Sequence, residues 1–141
     1  MSVTNERINW NQKIIDEFRA NDGKVGGRFE GKTLLLLHTT GAKTGKERIN
    51  PVAYVRDGED YVVIASQGGA PTNPNWYYNI LAHPHLTVEV GTEAFDVEAQ
   101  VTEEPERTRL YNKMAGMMDS FNDYRRKTDR VIPVFKLTPV K

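Results

Sequence analysis

Three cations lie close together in a short polar segment: Lys43, Lys46 and Arg48. Gly41 and Gly45 let the main-chain amides turn toward a ligand, and neighbouring threonines add hydroxyl donors. Such a segment can hold a phosphate or a carboxylate through charge-assisted hydrogen bonds. The alternative is a solvated basic hairpin tip, since charged turns are ordinary. A Walker A loop is excluded, because its glycines stand one residue further apart and a helix, not a strand, follows it.

A second candidate segment, residues 66–78, places a Gly-rich turn before an aromatic-rich helix start. Trp76, Tyr77 and Tyr78 are consecutive, so they point in different directions around a helix and at least one of them faces away from the core. A ring in that position could line a pocket for a planar ligand. The alternative is ordinary packing of the helix on the sheet.

The familiar metal-binding and nucleophilic patterns are missing from the sequence. His83 and His85 flank a proline without an evident third ligand, and His38 lies in an apolar run, where a hydrogen-bonded core residue is expected. There is no Gly-x-Ser-x-Gly or His-Glu-x-x-His motif. The count of zero cysteines excludes disulfides, thiolate catalysis and Cys-ligated metals. We therefore expect neither a metal site nor a protein nucleophile.

Length and charge limit the class of protein. A chain of 141 residues suits one domain covering 1–141, because two independent cores would each be too small. The 19 basic and 19 acidic side chains leave no global field for a polyanion, so nucleic acid is not an expected partner. The N-terminus lacks the apolar core of a signal peptide, and no apolar run approaches the ~20 residues that span a bilayer. We expect a soluble, cytoplasmic protein.

The N-terminal 1–30 segment is predicted to be an amphipathic helix followed by a loop. Its apolar stripe has roughly helical spacing and ends near Gly23; the residues of the stripe are Ile8, Trp10, Ile14, Ile15 and Phe18. Packing of this stripe against the core is the leading interpretation. The alternative is a peripheral contact with the inner face of a membrane, which the mixed charge of the polar face disfavours.

The rest of the chain alternates strands with a few helices. Predicted strands cover residues 33–40, 51–56, 61–66, 86–90, 95–101 and 131–137, and predicted helices cover 75–82 and a segment that starts near 102, with a short piece at 120–128 before the last strand. Asp57-Gly58 marks a hairpin, and Asn73 is the predicted N-cap of the helix at 75. The helix near 102 has a predicted buried stripe of Leu110, Met114, Met117 and Met118.

Hairpin-length connections with helices between some strands predict a mainly β fold of the α+β kind. We expect an antiparallel β-barrel with peripheral helices and not a doubly wound parallel sheet. Because barrels with exposed strand edges commonly pair through them, a homodimer is a further expectation.

Three segments together resemble the motifs of the deazaflavin-dependent nitroreductase family. They are TTGAKTGKERINPV at 39–52, ASQGGAPTNPNWYYN at 65–79 and DYRRKTDRVIPVF at 123–135, and the spacing between them also fits. The resemblance implies a split β-barrel related to flavin-binding oxidoreductases. It also implies the coenzyme F420, an 8-hydroxy-5-deazaflavin with a phosphodiester and a tail of glutamates.

The resemblance assigns cofactor contacts residue by residue. The residues that match those gripping the phosphate and the acidic tail are Ala42, Lys43, Thr44 and Arg48. Those beside the deazaflavin ring correspond to Asn50, Pro51, Val52, Ala53, Ile64, Ala65, Ser66 and Gln67. The helix start that completes the cofactor site corresponds to Asn75, Trp76, Tyr77 and Asn79. Hydride transfer from such a cofactor needs no protein nucleophile, in keeping with the missing cysteine and triad.

The acceptor side departs from the nitroreductase for which the family is named. Three tyrosines line the acceptor there, whereas the matching positions here are Met118, Phe121 and Tyr124, and Gln67 stands in place of a lysine. With Ser66, Met118, Phe121 and Tyr124 are the predicted substrate contacts, and either Tyr124 or solvent supplies the proton that follows the hydride. A wider, more apolar site suits quinones and α,β-unsaturated lactones or enones better than nitroimidazoles.

The predicted function is therefore an F420H2-dependent reductase that transfers a hydride to quinones or conjugated carbonyl compounds, with nitro compounds as further substrates. Two alternatives stay open on the sequence: a non-catalytic F420 carrier and an FMN-dependent split-barrel oxidoreductase. A structural protein whose basic loop is a plain solvated turn is a third reading and predicts no ligand.

Overall fold

The computed structural model shows a curled sheet with four helices around it. It describes residues 3–26 and 33–140, with side chains from residue 11 onward. In chain order the elements are α1 (Val3–Ala20), β1 (Leu34–Thr40), β2 (Glu47–Ala53), β3 (Val55–Asp57), β4 (Asp60–Ile64), a short 3-10 turn (Gln67–Gly69), α2 (Asn75–Ala82), β5 (His85–Val90), β6 (Glu93–Val101), α3 (Glu106–Met117), α4 (Ser120–Lys127) and β7 (Val134–Pro139). The helix predicted at 75–82 and the strands predicted at 33–40, 61–66, 86–90 and 95–101 are confirmed to within about two residues at each end.

The sheet is antiparallel throughout, with the strand order β2-β1-β5-β6-β7-β4-β3. Its two edge strands, β2 and β3, are separated in sequence by Tyr54 alone. Because one residue joins both edges, the sheet has to curl until they meet. Tyr54 is held at this junction by Thr33, whose hydroxyl donates to the Tyr54 carbonyl at 2.6 Å. The predicted split antiparallel barrel is confirmed, and it closes through chain continuity at Tyr54.

Alternate residues of the inner strands pack on opposite faces of the sheet. On β1, Leu35 and Leu37 enter the barrel core, whereas Leu34 and Leu36 pack against α1. The α1 residues in that contact are Ile14, Ile15 and Phe18, as expected of a helix that packs on the core. The predicted positions Ile8 and Trp10 lie outside the described side chains. The helices α3 and α4 cover the outer face of β4.

Two predicted strands begin and end at other residues in the structure. The strand predicted at 51–56 begins at Glu47 and is interrupted at Tyr54, so part of the basic segment is strand rather than loop. The strand predicted at 131–137 runs from Val134 to Pro139. Pro133 has no amide to donate to the sheet, and its carbonyl accepts instead from the Ala65 amide at 3.0 Å.

The start of α3 and its buried face also differ from the prediction. The helix begins at Glu106 and not near 102, because the Thr102 amide and hydroxyl both donate to the carbonyl of Val134. Met117, predicted to be buried, is 61% exposed. The buried face includes Tyr111 and Ala115 as well as Leu110 and Met114, so at 3.6 residues per turn its centre is rotated away from Met117.

Asn73 is not the N-cap of α2. That position is occupied by Pro74, and no side chain makes a capping hydrogen bond there. The Asn73 side chain accepts from Arg130 instead, with an Nη1–Oδ1 distance of 2.5 Å. Within the described residues, no helix is both long and apolar enough to cross a membrane.

Candidate active site

A pocket of about 200 Å³ opens where β2, the end of β4, the start of α2 and the chain around α4 come together. Seven of the predicted cofactor residues line it, six from the ring-side set and one from the helix start: Pro51, Val52, Ala53, Ile64, Ser66, Gln67 and Trp76. The three predicted acceptor residues, Met118, Phe121 and Tyr124, line the same pocket. The barrel therefore brings ring-side and acceptor-side residues, which are far apart in sequence, to one cavity.

The pocket also has lining residues that sequence reasoning did not select. Gly68 and Pro74 lie inside the quoted motif at 65–79, so their position was a usable signal. Leu34 and Ser120 had no such signal, because a leucine at a strand start and a serine before a helix are ordinary. The other predicted cofactor residues, Asn50, Asn75, Tyr77, Asn79, Ala65 and the loop residues 42–44 and 48, do not line the pocket.

The basic loop between β1 and β2 presents unpaired positive charge. Lys43, Lys46 and Arg48 are all exposed, and within the described part of the chain none has a carboxylate within the 4.0 Å limit of an ion pair. The loop is closed by two main-chain hydrogen bonds, from Gly41 to the Lys46 carbonyl at 2.8 Å and from Gly45 to the Gly41 carbonyl at 2.9 Å. A closed loop with free cations suits an anionic ligand.

Asn79 anchors this loop to helix α2. The residue is 8% exposed, and both ends of its amide are engaged: Oδ1 accepts from the Ala42 amide at 3.0 Å, and Nδ2 donates to the Thr39 hydroxyl at 3.2 Å. The family resemblance assigned Asn79 and Ala42 to cofactor contact. In this structure the two residues contact each other, so their visible role is to set the position of the cations.

One face of β2 runs from the basic loop to the pocket. In the antiparallel register, Arg48 lies opposite Thr39 and Val52 lies opposite Leu35, so Arg48, Asn50 and Val52 share the face of Leu35. Val52 follows Arg48 by four residue steps along the strand, a rise of about 13 Å. The strand therefore sets the distance between the exposed cation of Arg48 at one end and the pocket at the other.

The turn after β4 has an unusual backbone. Ser66 is in the right-handed helical region, and Gln67, Gly68 and Gly69 follow with φ values of 47°, 64° and 83°. A right-handed residue followed by left-handed ones forms a concave main-chain arrangement whose amides point to one side and bind anionic or carbonyl oxygens. Because Ser66, Gln67 and Gly68 line the pocket, this turn is the wall best suited to the oxygen-rich edge of a planar ring.

Arg130 holds that turn, and the sequence analysis assigned it no role. Its guanidinium donates to the main-chain carbonyls of Ala65 at 3.1 Å, Ser66 at 2.8 Å and Ala70 at 3.0 and 3.1 Å, and to the Asn73 side chain at 2.5 Å. Arg130 belongs to the quoted motif at 123–135, so the motif was a signal for its importance. Its partners could not be read from the sequence, because they lie 57–65 residues away along the chain.

Tyr124 is the acceptor-side residue with a free polar group. Its ring packs edge-on against Phe121 with centroids 5.1 Å apart, and among the described residues its hydroxyl makes no hydrogen bond. The nearby Tyr111 differs, because its hydroxyl donates to the Phe121 carbonyl at 2.7 Å and burial raises its pKa. Met118 and Phe121, each 7% exposed, supply the apolar wall beside Tyr124.

The histidines lie away from the pocket lining. His38 Nε2 is 2.6 Å from Glu89 Oε2, and Arg19 donates to the same carboxylate. The hydrogen bond from Arg19 is the main cause of the lowered pKa of Glu89. His85 is exposed on β5, where the hydrogen bond with Glu98 raises its pKa. In the part of the chain that the structure describes, no three His, Cys, Asp or Glu side chains are grouped to hold a metal ion.

Comparisons with known proteins identify the family of this chain. The family model described as F420H(2)-dependent quinone reductase matches residues 10–139. The F420H(2)-dependent quinone reductase Rv1261c of Mycobacterium tuberculosis is 38% identical over 125 residues, which is 86% of this chain and 84% of that protein.

Two solved structures share the fold at a similar identity. One is described as an F420-H2 dependent reductase (FDR-A), with 37% identity and a TM-score of 0.68 over 74% of this chain and 92% of that one. The other, described as a domain-swapped dimer, has 33% identity and a TM-score of 0.70 over 95% of this chain and 98% of that one. The chain is a member of the F420H(2)-dependent quinone reductase family, an oxidoreductase whose cofactor is reduced coenzyme F420.

Proposed function

We propose that the chain holds F420 with its anionic tail on the basic loop and its tricyclic head in the pocket, and that it reduces quinones there. The observation that carries the proposal is the arrangement of unpaired cations at one end of β2 and an aromatic-lined pocket at the other. Lys43, Thr44 and Arg48 would bind the phosphate and the glutamate carboxylates. Pro51, Val52 and Trp76 would contact the ring, with Asn50 on the face between loop and pocket.

The donor groups of the site suit this cofactor better than a flavin mononucleotide. A single terminal phosphate needs one compact anion site, whereas a phosphodiester followed by several carboxylates needs cations spread along a surface. Lys43, Lys46 and Arg48 are spread in this way, and no carboxylate of the described residues forms an ion pair with any of them. The turn at 66–68 offers consecutive amides to the pyrimidine edge of the ring, and Ser66 and Gln67 add polar side chains at the same wall.

The cofactor supplies the hydride when it is bound, and the residues of the chain place the acceptor and complete its protonation. Met118 and Phe121 form an apolar surface on which a planar quinone can pack. Tyr124 would bond one quinone oxygen and donate a proton to it as the carbonyl becomes a hydroxyl. The hydride provides the second hydrogen of the hydroquinone together with both electrons, and solvent returns a proton to Tyr124 through the open side of the pocket. Hydride plus proton makes the two-electron reduction to the hydroquinone balance.

We extend the proposal to planar α,β-unsaturated lactones and enones, which need the same hydride, the same hydrogen bond to a carbonyl and the same apolar surface. Nitro compounds would be poorer substrates, since Met118 and Phe121 replace two phenols by groups that cannot bond a nitro oxygen. The polar contacts left for such an acceptor are Tyr124 and Ser66.

The test of the cofactor assignment is a pair of titrations of purified protein, one with F420 and one with FMN, followed by fluorescence. We expect F420 to bind at least about a hundredfold more tightly. Tight FMN binding with none to F420 would refute the assignment.

The test of the reaction is oxidation of F420H2 with a panel of a benzoquinone, a naphthoquinone, a conjugated lactone, an enone and a nitroimidazole. Bound cofactor with no turnover of any acceptor would leave a carrier and refute the reductase.

We also propose a homodimer in the cytoplasm. One relative is described as a domain-swapped dimer, and β2 offers an edge strand with pairing on one side only among the described strands. Light scattering after gel filtration would give a mass of two chains, and a monomer at all concentrations would refute it.

Peripheral membrane contact through α1 stays a prediction. Sedimentation with anionic vesicles tests it, and the burial of Ile14, Ile15 and Phe18 argues for weak binding.

A further inference from the structure

We propose that Arg130 is a positioning residue that builds the ring-side wall of the cofactor pocket. Its side chain holds the 65–73 segment in the form that presents the amides of Ser66, Gln67 and Gly68. This inference rests on the proposed function for the identity of the ligand. The contacts of Arg130 do not depend on that identity, and one of the measurements below needs no ligand.

The guanidinium of Arg130 is fully used by this one segment. A guanidinium carries five N–H groups, and here Nε donates once, to Ala70, and Nη1 and Nη2 donate twice each, to Ala65, Ser66, Ala70 and Asn73. A lysine in its place has three donors on one atom and cannot reach the same set of acceptors. The fork geometry of arginine is therefore what the segment requires.

All of these acceptors are neutral oxygens, and within the described residues no carboxylate pairs with Arg130. Its positive charge is thus uncompensated directly behind the turn that lines the pocket. The carbonyls of Ser66 and Ala70 point toward Arg130, so they are turned away from the ligand. An electron-rich ring edge at the amides of this turn would be attracted both by the N–H groups and by the charge behind them.

The turn needs such a clamp because its backbone is strained. Gln67, a residue with a side chain, has a φ of 47°, a left-handed conformation that is unfavourable for residues other than glycine. On its other side the turn is pressed against α4, the helix that carries Phe121 and Tyr124. A Cβ built on Gly69 would lie 2.8 Å from the carbonyl oxygen of Tyr124. The missing side chain at Gly69 therefore lets the turn that Arg130 holds lie directly against the acceptor-side helix.

The test compares Arg130→Lys with wild type in binding two ligands: F420 and the same deazaflavin head with its ribityl chain but without phosphate and glutamates. We expect Arg130→Lys to weaken both ligands by the same factor, about tenfold or more. Loss of Lys43 and Arg48 would weaken F420 alone. The matched control is Arg125→Lys, whose guanidinium bonds Asn112 and Asn122 away from the pocket, and it should change neither affinity.

A second measurement uses the protein without ligand. Amide hydrogen exchange over residues 66–70 should rise about tenfold or more in Arg130→Lys, with the exchange of β1 and β7 unchanged. If wild type binds neither ligand, the proposed function fails, while the exchange result still decides whether Arg130 holds the turn. Head affinity within twofold of wild type, or unchanged exchange at 66–70, would overturn the proposal.

If Arg130→Lys does not fold, Asn73→Ala replaces it as the test variant. That change removes one acceptor of Nη1 and leaves the main-chain carbonyls in place. We expect a smaller loss of head affinity in the same direction, about threefold, with faster exchange confined to 66–70. A variant that binds the head as wild type does and keeps its exchange rates would overturn the proposal equally.

Discussion

Asn79 on α2 accepts a hydrogen bond from the main-chain amide of Ala42, and the nitrogen–oxygen distance is 3.0 Å. This contact joins the basic loop to the helix that carries Trp76, although the two residues are 37 positions apart. It links the proposed anion-binding loop directly to the helix at the proposed ring-binding end of the site. The consequence is that a change at Asn79 should act on the cofactor without touching it.

Replacing Asn79 by alanine tests that consequence. The change leaves the Ala42 amide without its acceptor and the Thr39 hydroxyl without its donor, so we expect the free energy of unfolding to fall by about 1–3 kcal/mol. Affinity for F420 should fall as well, because the loop cations lose their fixed position. Chemical denaturation and an F420 titration measure the two effects. Asn75→Ala, an exposed position on the same helix, is the stability control and should stay within about 0.5 kcal/mol of wild type.

The double variant Lys43→Ala, Arg48→Ala tests where the tail of F420 binds. Losing two charge-assisted contacts should weaken F420 by a factor on the order of a hundred, and the loss should shrink at high salt. The control replaces two exposed cations elsewhere, Lys13 and Lys24, by alanine, so its net charge equals that of the test variant. Equal affinity in both double variants would place the tail away from the basic loop.

Two tyrosines near the pocket make a matched pair for the proton-donor assignment. Tyr124→Phe should lower turnover of a benzoquinone about tenfold to a thousandfold while F420 affinity stays unchanged. Tyr111→Phe should keep turnover and lose about 1 kcal/mol of stability, because it breaks the bond to the Phe121 carbonyl. Steady-state kinetics and thermal unfolding separate the two outcomes. Full activity of Tyr124→Phe would assign the proton to solvent.

A pH series tests the ion-pair cluster that docks α3 on β3. The hydrogen bond from Arg109, helped by Lys113, lowers the pKa of Asp57 from 3.8 to about 2. A carboxyl with a lower pKa in the folded state stabilises the fold above pH 4, and that stabilisation is lost as the pH falls from about 4 to 2. Because Arg109 and Lys113 are largely exposed, we expect only about 1 kcal/mol.

The measurement for this cluster is the difference in unfolding free energy between wild type and Asp57→Asn as a function of pH. The difference should be constant near neutral pH and vanish toward pH 2. Asp60→Asn is the matched control on the neighbouring strand, since its hydrogen-bond partner is the uncharged Thr138 hydroxyl. A difference that does not change with pH would show that Asp57 acts through shape and not through charge.

The local pattern of the sequence was sufficient for most of the elements. The run Leu34–Leu37 determined a strand that is buried on both faces, and Asp57-Gly58 determined the hairpin between β3 and β4. The two quoted motifs at 39–52 and 65–79 led to the pocket, because each of them contributes residues that line it. The start of α3 and the exposure of Met117 were missed, because they depend on contacts with Val134 and on the rotation of the helix face.

By itself, then, the sequence determined the alternation of strands and helices and the charge of the loop, since both depend on neighbouring residues. Only the tertiary structure decided that Tyr54 joins the two sheet edges, that Asn79 holds the basic loop and that Arg130 holds the turn at 66–70. Each of these contacts joins residues that are distant in the chain, or strands that are distant in the sheet. Their formation depends on how the whole barrel curls, and no short-range pattern encodes that.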